Sequence, residues 1–289
     1  MILDEYKDKV DEWLKQYFVG KGSYDKIVYE AMSYSLNAGG KRIRPALMFA
    51  AYSIYCDNYE CIMEPACALE MIHTYSLIHD DLPCMDDDDL RRGKPTCHKK
   101  FSYPLAVLAG DGLLNEAMNV LFSYSLANGE KALKASQLIA KCSGADGMLG
   151  GQVVDIISEG KSIDYDQLRY MHSKKTGALI KAAVVCGGLL ADASEEHINM
   201  LSEYADKLGL AFQIKDDILD EIGNAEELGK NVKKDAGKNK TTYVSMLSLE
   251  ECQKLLEDLT KQCKDILTVL DGNTEFLMDL TDFLLYRKY

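Results

Sequence analysis

Two groups of aspartates, far apart in the chain, are the residues best suited to chemistry. Residues 80–86 read DDLPCMD and residues 216–220 read DDILD, and each group follows an apolar run with helical spacing. Carboxylates held ~4 Å apart repel each other by ~4 kcal/mol at an effective dielectric near 20. Two such groups facing one cavity would therefore need cations. Ligand sets made only of oxygen favour Mg²⁺, which also binds substrate phosphates, so the pattern predicts a metal-bridged diphosphate.

The second aspartate group predicts a polar stripe on one helix. At 100° per residue, four polar residues recur with the spacing i, i+3, i+4, i+7: Gln213, Asp216, Asp217 and Asp220. The same rotation predicts a neighbouring apolar stripe of Leu210, Ile214, Ile218 and Ile222. A solvated acidic face is the alternative interpretation. The helix macrodipole opposes unpaired carboxylates near a helix C-terminus, and the existence of two such groups favours metal binding.

Basic residues accompany the aspartates. Arg91 and Arg92 follow a run of four aspartates at residues 86–89, and guanidinium groups match the geometry of phosphate oxygens. Residues 39–45 read GGKRIRP and lack the spacing of a nucleotide-binding P-loop. We expect Lys41 and Arg44 in this segment to form a second anion site.

Composition excludes several classes of protein. The 289 residues carry a net charge of −13, whereas a nucleic-acid binder needs a basic footprint. The nine cysteines form no C-x-x-C pair, which argues against a zinc site or a disulfide framework and favours a reducing cytosol. No uninterrupted apolar run approaches the ~18 residues of a membrane span, so we expect a cytoplasmic protein without an integral membrane segment.

The elements that position these residues are predicted to be helices. None of the five prolines lies beyond residue 104, and apolar residues recur at helical spacing in the rest of the chain. One helix is predicted to end near Asp81, before Pro83. No Gly/Ser/Pro-rich linker divides the chain, so we predict a single all-α domain over residues 1–289. A lysine-rich loop over residues 223–240 contains Lys230 and Lys240.

Several motifs in a fixed order resemble one family, the short-chain trans-isoprenyl diphosphate synthases of the polyprenyl synthetase family, and in particular bacterial farnesyl diphosphate synthases. The resemblance runs from about Asn37 to Tyr243. It rests on residues 39–45, 79–93 (HDDLPCMDDDDLRRG), 110–111 (GD), 151–152 (GQ), 175–176 (KT), 212–220 (FQIKDDILD) and 229–230 (GK). It implies the isoprenoid synthase fold, a large helical bundle around a central cavity, and a homodimer.

The resemblance also implies a role for each matching residue. Three Mg²⁺ ions per active site would be held by Asp80, Asp81, Asp86, Asp216 and Asp220. The isopentenyl diphosphate site would comprise Lys41, Arg44, His73 and Arg92. The allylic diphosphate would bind Arg91, Lys175, Gln213, Lys230 and Lys240. The catalytic candidates are Lys175, Thr176 and Gln213, and the dipoles of Thr176 and Gln213 would face the developing carbocation.

The implied reaction is a condensation of isopentenyl diphosphate with dimethylallyl or geranyl diphosphate. Mg²⁺ and basic residues neutralise the leaving diphosphate, the allylic cation is attacked by the double bond of isopentenyl diphosphate, and a proton is lost. In the family, the residues five and four positions before the first aspartate limit the length of the product; here they are Tyr75 and Ser76. An aromatic residue at the former position indicates a farnesyl product, with geranylgeranyl or geranyl diphosphate as the alternatives.

Three other interpretations make different demands on the sequence. Glu70 and His73 form an E-x-x-H motif of di-iron bundles, which need a second copy, and no other histidine here has a glutamate three residues before it. A terpene cyclase would usually replace the second aspartate group with an Asn/Ser/Glu pattern. A non-catalytic prenyltransferase subunit would typically lose one aspartate group, and both groups are present here.

Overall fold

The computed structural model describes residues 2–222 and 241–286, and these residues confirm the all-α prediction. The α-helices are numbered in chain order over the described residues. The first seven are α1 (Ile2–Tyr17), α2 (Lys26–Leu36), α3 (Ile43–Tyr52), α4 (Met63–Asp80), α5 (Cys97–Lys100), α6 (Tyr103–Asn128) and α7 (Glu130–Ser143). The others are α8 (Met148–Ser158), α9 (Tyr165–His172), α10 (Ala178–Leu190), α11 (Glu195–Ile222), α12 (Tyr243–Met246), α13 (Leu249–Thr268) and α14 (Glu275–Tyr286).

Helix α4 is a central helix, and its sequence explains why. It is apolar around most of its circumference, and a helix of that kind is normally buried. Its buried residues extend from Pro65 to Ile78, and it packs most extensively against α6. It ends at Asp80, as the position of Pro83 predicted. The core therefore holds the first aspartate pair at the end of a rigid element.

Three glycines allow the helices that carry the site to approach closely. A side chain at Gly187 in α10 would overlap the backbone of α3 at Met48 and Tyr52. One at Gly151 in α8 would overlap the backbone of Lys175, and Gly209 in α11 lies against the backbone of Gly177. Since these neighbours are backbone atoms, they cannot move aside as a flexible side chain could.

A turn of π-helix, Ser173–Gly177, joins α9 to α10. It contacts α8 and α11 as well as the helices that it joins. Such turns are frequently found at functional sites. This one carries Lys175 and Thr176, two of the residues singled out by the sequence motifs.

A short hairpin follows the first aspartate group. Strands β1 (Leu90–Arg91) and β2 (Lys94–Pro95) pair antiparallel, with Arg91 opposite Lys94. The two residues between them, Arg92 and Gly93, both have positive φ angles, of 53° and 74°. Positive φ at both central residues is the requirement of a type I′ turn. No β-branched alternation announces this hairpin in the sequence.

Among the described residues, α6 alone is long and apolar enough to span a membrane by length and composition. The core helix of a soluble protein meets the same criterion. Helix α6 packs against α4, α7 and α2, and it carries two charged residues, Asp111 and Glu116. Its length and composition are therefore weak evidence for a membrane span.

Candidate active site

A cavity of about 510 Å³ lies beside α4 and is lined by seven of the predicted site residues: Arg44, His73, Tyr75, Ser76, Asp80, Lys175 and Thr176. Its walls come from α4, the start of α6, α8 and the π-helical turn. Its polar lining residues include Arg44, His73, Asp80, Lys175 and Thr176. Its apolar lining residues include Leu82, Met85, Val107, Met148 and Leu149. The cavity can therefore hold a ligand with a charged head and an apolar tail.

Asp80 and Asp86 lie close together in the first aspartate group. Asp80 accepts a hydrogen bond from Gln152 Nε2 at 3.0 Å. The backbone amide of Asp86 donates to the carbonyl oxygen of Asp80 at 2.9 Å, which closes the loop between them. Burial raises the pKa of Asp80, Lys175 opposes the rise, and the negative charge of Asp86 adds to it. The charge of Asp80 is thus only partly compensated by Lys175 and Arg91.

Asp81 has a different environment from Asp80. It is buried, and both of its carboxylate oxygens accept hydrogen bonds from Arg91, with N–O distances of 2.5 to 2.9 Å. Burial raises the pKa of Asp81, and the bonds from Arg91 oppose that rise. The predicted metal ligand Asp81 and the predicted diphosphate ligand Arg91 are therefore partners of each other here. Their roles towards ligands stay predictions.

The members of the second aspartate group differ in their burial. Asp216 and Asp220 are half-buried, whereas Asp217 is buried. Asp217 accepts hydrogen bonds from Gln213 Nε2 at 2.9 Å and from the backbone amide of Tyr243 at 2.7 Å. In the predicted apolar stripe, Ile214 and Ile218 are buried and Leu210 is half-buried.

Ile222, the last residue of the predicted stripe, has an exposed side chain. It is the last residue of α11, where the helix has passed the core against which the preceding turns pack. A helical-wheel projection treats every turn of a helix alike. It therefore cannot show at which residue the packing against the core ends.

Asp217 orients the amide of Gln213. The side-chain amide nitrogen of Gln213 donates to Asp217. This fixes the orientation of the amide, so that Gln213 Oε1 accepts a hydrogen bond from Thr176 Oγ1 at 3.3 Å. The two catalytic candidates Thr176 and Gln213 are thus brought together by α11 and the π-helical turn. Sequence reasoning missed the role of Asp217. The only signal was its position within the motif, one residue from the predicted ligand Asp216.

Both aspartate groups approach the same basic residues. Asp80 lies near Lys175 and shares a cavity with Arg44. Burial lowers the pKa of Arg44, while Glu70 and, less strongly, Asp216 act against that decrease. Asp216 is therefore close enough to Arg44 to interact with its charge. No described residue of the second aspartate group is among those that line the cavity of Asp80, so the convergence of the two groups on one cavity stays a prediction.

The donors at this site are suited to Mg²⁺. Asp80 and Asp86 offer carboxylate oxygens, the charge of Asp80 is only partly compensated, and Mg²⁺ prefers oxygen ligands. Within residues 2–222 and 241–286, no three Asp, Glu, His or Cys side chains form a ready-made cation cage. Since Mg²⁺ usually retains waters and binds through one or two carboxylates plus substrate phosphates, this arrangement fits an ion that binds together with a diphosphate.

The predicted isopentenyl diphosphate residues form a basic cluster. Arg92 donates a hydrogen bond to the carbonyl oxygen of Gly39, and its guanidinium lies against Gly40, where any side chain would overlap it. Lys41 is exposed, with its ammonium group 5.9 Å from the centre of the Phe283 ring. Burial, followed by the charges of Arg44 and Arg92, lowers the pKa of His73 well below its usual range. His73 is therefore neutral at pH 7.

Lys175 lies between two carboxylates. Its Nζ atom is 2.6 Å from Asp155 Oδ2, and its charge also lowers the pKa of Asp80 against the effect of burial. Asp155 was not singled out by the sequence analysis. The other two predicted ligands of the allylic diphosphate, Lys230 and Lys240, lie outside the described residues.

Tyr75 and Ser76 both line the cavity. The Tyr75 ring contacts His79 edge-on, with 5.8 Å between the ring centres. Its hydroxyl is buried and has no hydrogen-bond partner among the described residues. Burial raises the pKa of Tyr75 to about 12, so the hydroxyl is neutral at pH 7. A large neutral ring at this wall can limit the depth of the cavity.

Comparison with known proteins places the chain in a family. Residues 25–270 match the model of the polyprenyl synthetase family, so the protein belongs to this family, as its motifs predicted. It is 44% identical over 262 residues to farnesyl diphosphate synthase of Bacillus subtilis (strain 168), which covers 90% of this chain and 88% of the relative. It is 42% identical over 288 residues to geranylgeranyl diphosphate synthase of Cyanophora paradoxa, which covers 99% and 95%.

A solved structure confirms the isoprenoid synthase fold. Geranyltransferase from Helicobacter pylori, complexed with magnesium and isoprenyl diphosphate, superposes with a TM-score of 0.86 at 30% identity. The match covers 99% of this chain and 95% of that one. The match therefore includes the helices that carry both aspartate groups.

The contact between Arg91 and Asp81 makes a prediction about stability. Arg91→Ala leaves a buried carboxylate without its hydrogen-bond donor, and we expect it to lower the free energy of unfolding by about 1–3 kcal/mol. Arg92→Ala is the matched control, since Arg92 is exposed and donates to a backbone carbonyl. Urea denaturation at pH 7 measures both variants. Equal losses in the two variants would contradict the special role of the Arg91–Asp81 pair.

The same variant has an expected pH dependence. Because Arg91 opposes the rise in the pKa of Asp81, its removal lets Asp81 bind a proton at a higher pH. The protonated carboxyl group of Asp81 is neutral, so its burial without Arg91 destabilises the fold less than burial of the carboxylate does. The stability difference from the wild type should therefore shrink as pH falls through that raised pKa.

Proposed function

We propose that this protein is a Mg²⁺-dependent trans-prenyltransferase. It condenses isopentenyl diphosphate with dimethylallyl or geranyl diphosphate and releases farnesyl diphosphate. The observation that carries the proposal is the cavity that combines Asp80, Arg44, His73 and Lys175 with an apolar interior. The family and its named relatives, which include both farnesyl and geranylgeranyl diphosphate synthases, support the class of reaction.

Each substrate has a proposed location. The allylic diphosphate lies between the two aspartate groups, where Asp80, Asp86 and Asp216, with Asp81 and Asp220, would hold up to three Mg²⁺ ions. Bound Mg²⁺ supplies neutralisation of the negative charge of the leaving diphosphate. Isopentenyl diphosphate lies on the basic cluster of Lys41, Arg44, His73 and Arg92. Because His73 is neutral, the arginines and the lysine provide the positive charge there.

The chain's own residues promote three events. Lys175 and Arg91 stabilise negative charge as the carbon–oxygen bond of the allylic diphosphate breaks. The oxygens of Thr176 and Gln213 orient their dipoles towards the resulting cation, and the apolar walls exclude water that would capture it. The double bond of isopentenyl diphosphate then forms the new carbon–carbon bond. A proton leaves the adjacent carbon, and the released diphosphate is its proposed acceptor.

The farnesyl product is proposed because of the cavity wall. A helix rises about 1.5 Å per residue, so Tyr75 lies roughly 7.5 Å along α4 from Asp80 and can stop a short prenyl chain. Geranylgeranyl or geranyl diphosphate is the alternative product, since relatives of similar identity carry different product names.

A turnover assay tests the proposal directly. The purified protein is incubated with isopentenyl and dimethylallyl diphosphates and Mg²⁺, and the dephosphorylated alcohols are sized by chromatography. We expect mainly the C15 alcohol, no product with EDTA, and a loss of at least 100-fold in kcat for Asp80→Ala, a size typical for removal of an electrostatic group at a reaction centre (~10²–10³). Failure to form any condensation product would instead favour the non-catalytic subunit.

The length of the product is expected to depend on Tyr75. Tyr75→Ala removes the ring from the cavity wall and should shift the product from C15 towards C20 and longer chains. Tyr75→Phe is the matched control, because it keeps the ring and removes a hydroxyl that has no hydrogen-bond partner among the described residues. The same chromatography measures both variants, and an unchanged product spectrum for Tyr75→Ala would remove Tyr75 from this role.

We also propose that the protein is a homodimer that forms through α8. Four apolar residues of this helix are exposed, at the spacing i, i+4, i+7, i+8: Leu149, Val153, Ile156 and Ile157. Contiguous exposed apolar surface is typical of an interface. The proposals of a single domain and a cytoplasmic location rest on the sequence and on the continuous core from α1 to α14.

The oligomeric state checks the α8 interface. Val153 is 56% exposed in α8, and Val269 is 64% exposed at the end of α13. We expect Val153→Glu to dissociate the dimer, because a charge would be buried in an apolar contact, and Val269→Glu to leave it intact. Sedimentation velocity gives the masses. A wild-type protein that sediments as a monomer would refute the proposal.

A further inference from the structure

Arg42 is a buried cation between the two residues that are predicted to bind isopentenyl diphosphate. It is 3% exposed and precedes α3 with φ and ψ angles of 50° and 40°, in the left-handed region. Its guanidinium donates to Asp11 Oδ1 at 2.7 Å, to Glu70 Oε1 at 2.9 Å and to the carbonyl oxygen of Leu36 at 2.5 Å. It therefore joins α1, α2 and α4 to the turn that carries Lys41 and Arg44.

These three bonds account for an otherwise unfavourable backbone. A non-glycine residue in a sparsely populated backbone region is strained and persists only where its surroundings determine it. Gly39 and Gly40, just before, have φ angles of 103° and 130°, so they cannot stiffen the turn themselves. The guanidinium of Arg42 supplies the missing constraint. Without it, the positions of the Lys41 and Arg44 side chains would be less well defined.

Glu70 has a second effect on the same site. It is buried in α4, one helical turn before His73, and its Oε2 atom has no hydrogen-bond partner among the described residues. Its charge acts against the decrease that burial causes in the pKa of both Arg44 and Arg92. One buried carboxylate thus interacts favourably with three arginines. The E-x-x-H pattern of Glu70 and His73 has this structural explanation in place of a di-iron site.

We propose that Arg42 and Glu70 are positioning residues for the isopentenyl diphosphate site. Arg42 fixes the turn that presents Lys41 and Arg44, and Glu70 both anchors Arg42 and attracts the positive charges of Arg44 and Arg92 before the diphosphate arrives. Neither residue contacts the substrate. The inference rests on the proposed function, because it assigns this cluster to isopentenyl diphosphate and not to the allylic substrate.

A comparison of KM for isopentenyl diphosphate with KM for the allylic diphosphate distinguishes a positioning role from a general disturbance of the fold. Glu70→Gln keeps the shape and removes the charge, and we expect it to raise KM for isopentenyl diphosphate about tenfold, the factor that ~1.4 kcal/mol produces. KM for the allylic diphosphate should change less than twofold. Arg42→Lys keeps the positive charge but loses the planar guanidinium, which donates to several acceptors at once. It should therefore have the same selective effect. Glu64→Gln, an exposed glutamate of α4, is the matched control and should change neither constant.

Further measurements keep the outcomes distinct. Asp11→Asn removes the partly exposed partner of Arg42 and offers a milder variant if Glu70→Gln fails to fold, which thermal unfolding detects. It should raise the same KM by a smaller factor. Equal changes in both constants, or no change in either, would overturn the proposal. Calorimetric titration with isopentenyl diphosphate tests it without turnover: a wild type that binds but forms no product refutes only the proposed function, and a Glu70→Gln variant that binds as tightly as the wild type refutes the positioning role.

Discussion

Repulsion between carboxylates in a partly buried site is the constraint on which the rest of the structure depends. Asp80 and Asp86 are held together by the end of α4 and by a backbone hydrogen bond, and burial with mutual repulsion raises the pKa of Asp80. Gln152 and Lys175 compensate only part of this charge. The folded chain thus maintains an unfavourable arrangement that a cation and a diphosphate would relieve. The core around α4 supplies the rigidity that this requires.

The other elements distribute positive charge around that centre without neutralising it. Arg91 donates hydrogen bonds to Asp81, while Arg92 donates one to the carbonyl oxygen of Gly39 and lies against Gly40. Lys175 is held by Asp155 within reach of Asp80. Two arginines that are adjacent in the sequence therefore contact different segments: Arg91 contacts the end of α4, and Arg92 contacts the turn before α3. This separation suits two diphosphates that must bind close together although both are negatively charged.

The sequence predicted the elements whose signals are local. Pro83 gave the end of α4, and the order of the motifs gave the family and the fold. The wheel correctly grouped Gln213 with Asp217, but it could not show that Asp217 bonds to Tyr243, because that contact depends on the path of the chain after α11. The exposure of Ile222 and the contact of Arg42 with Asp11 and Glu70 were likewise set by packing between distant segments. Such packing leaves no periodic signal.

The type I′ turn at Arg92 and Gly93 has a consequence for how this surface segment can change in evolution. In a two-residue hairpin, an inserted or deleted residue reverses the side to which neighbouring side chains point. A length change in the turn would alter the pairing of β1 with β2 and with it the direction of Arg91, whose partner is Asp81. Substitutions at the exposed Leu90 and Lys94 do not have this effect. Although it is a loop, this segment should tolerate new residues far better than a new length.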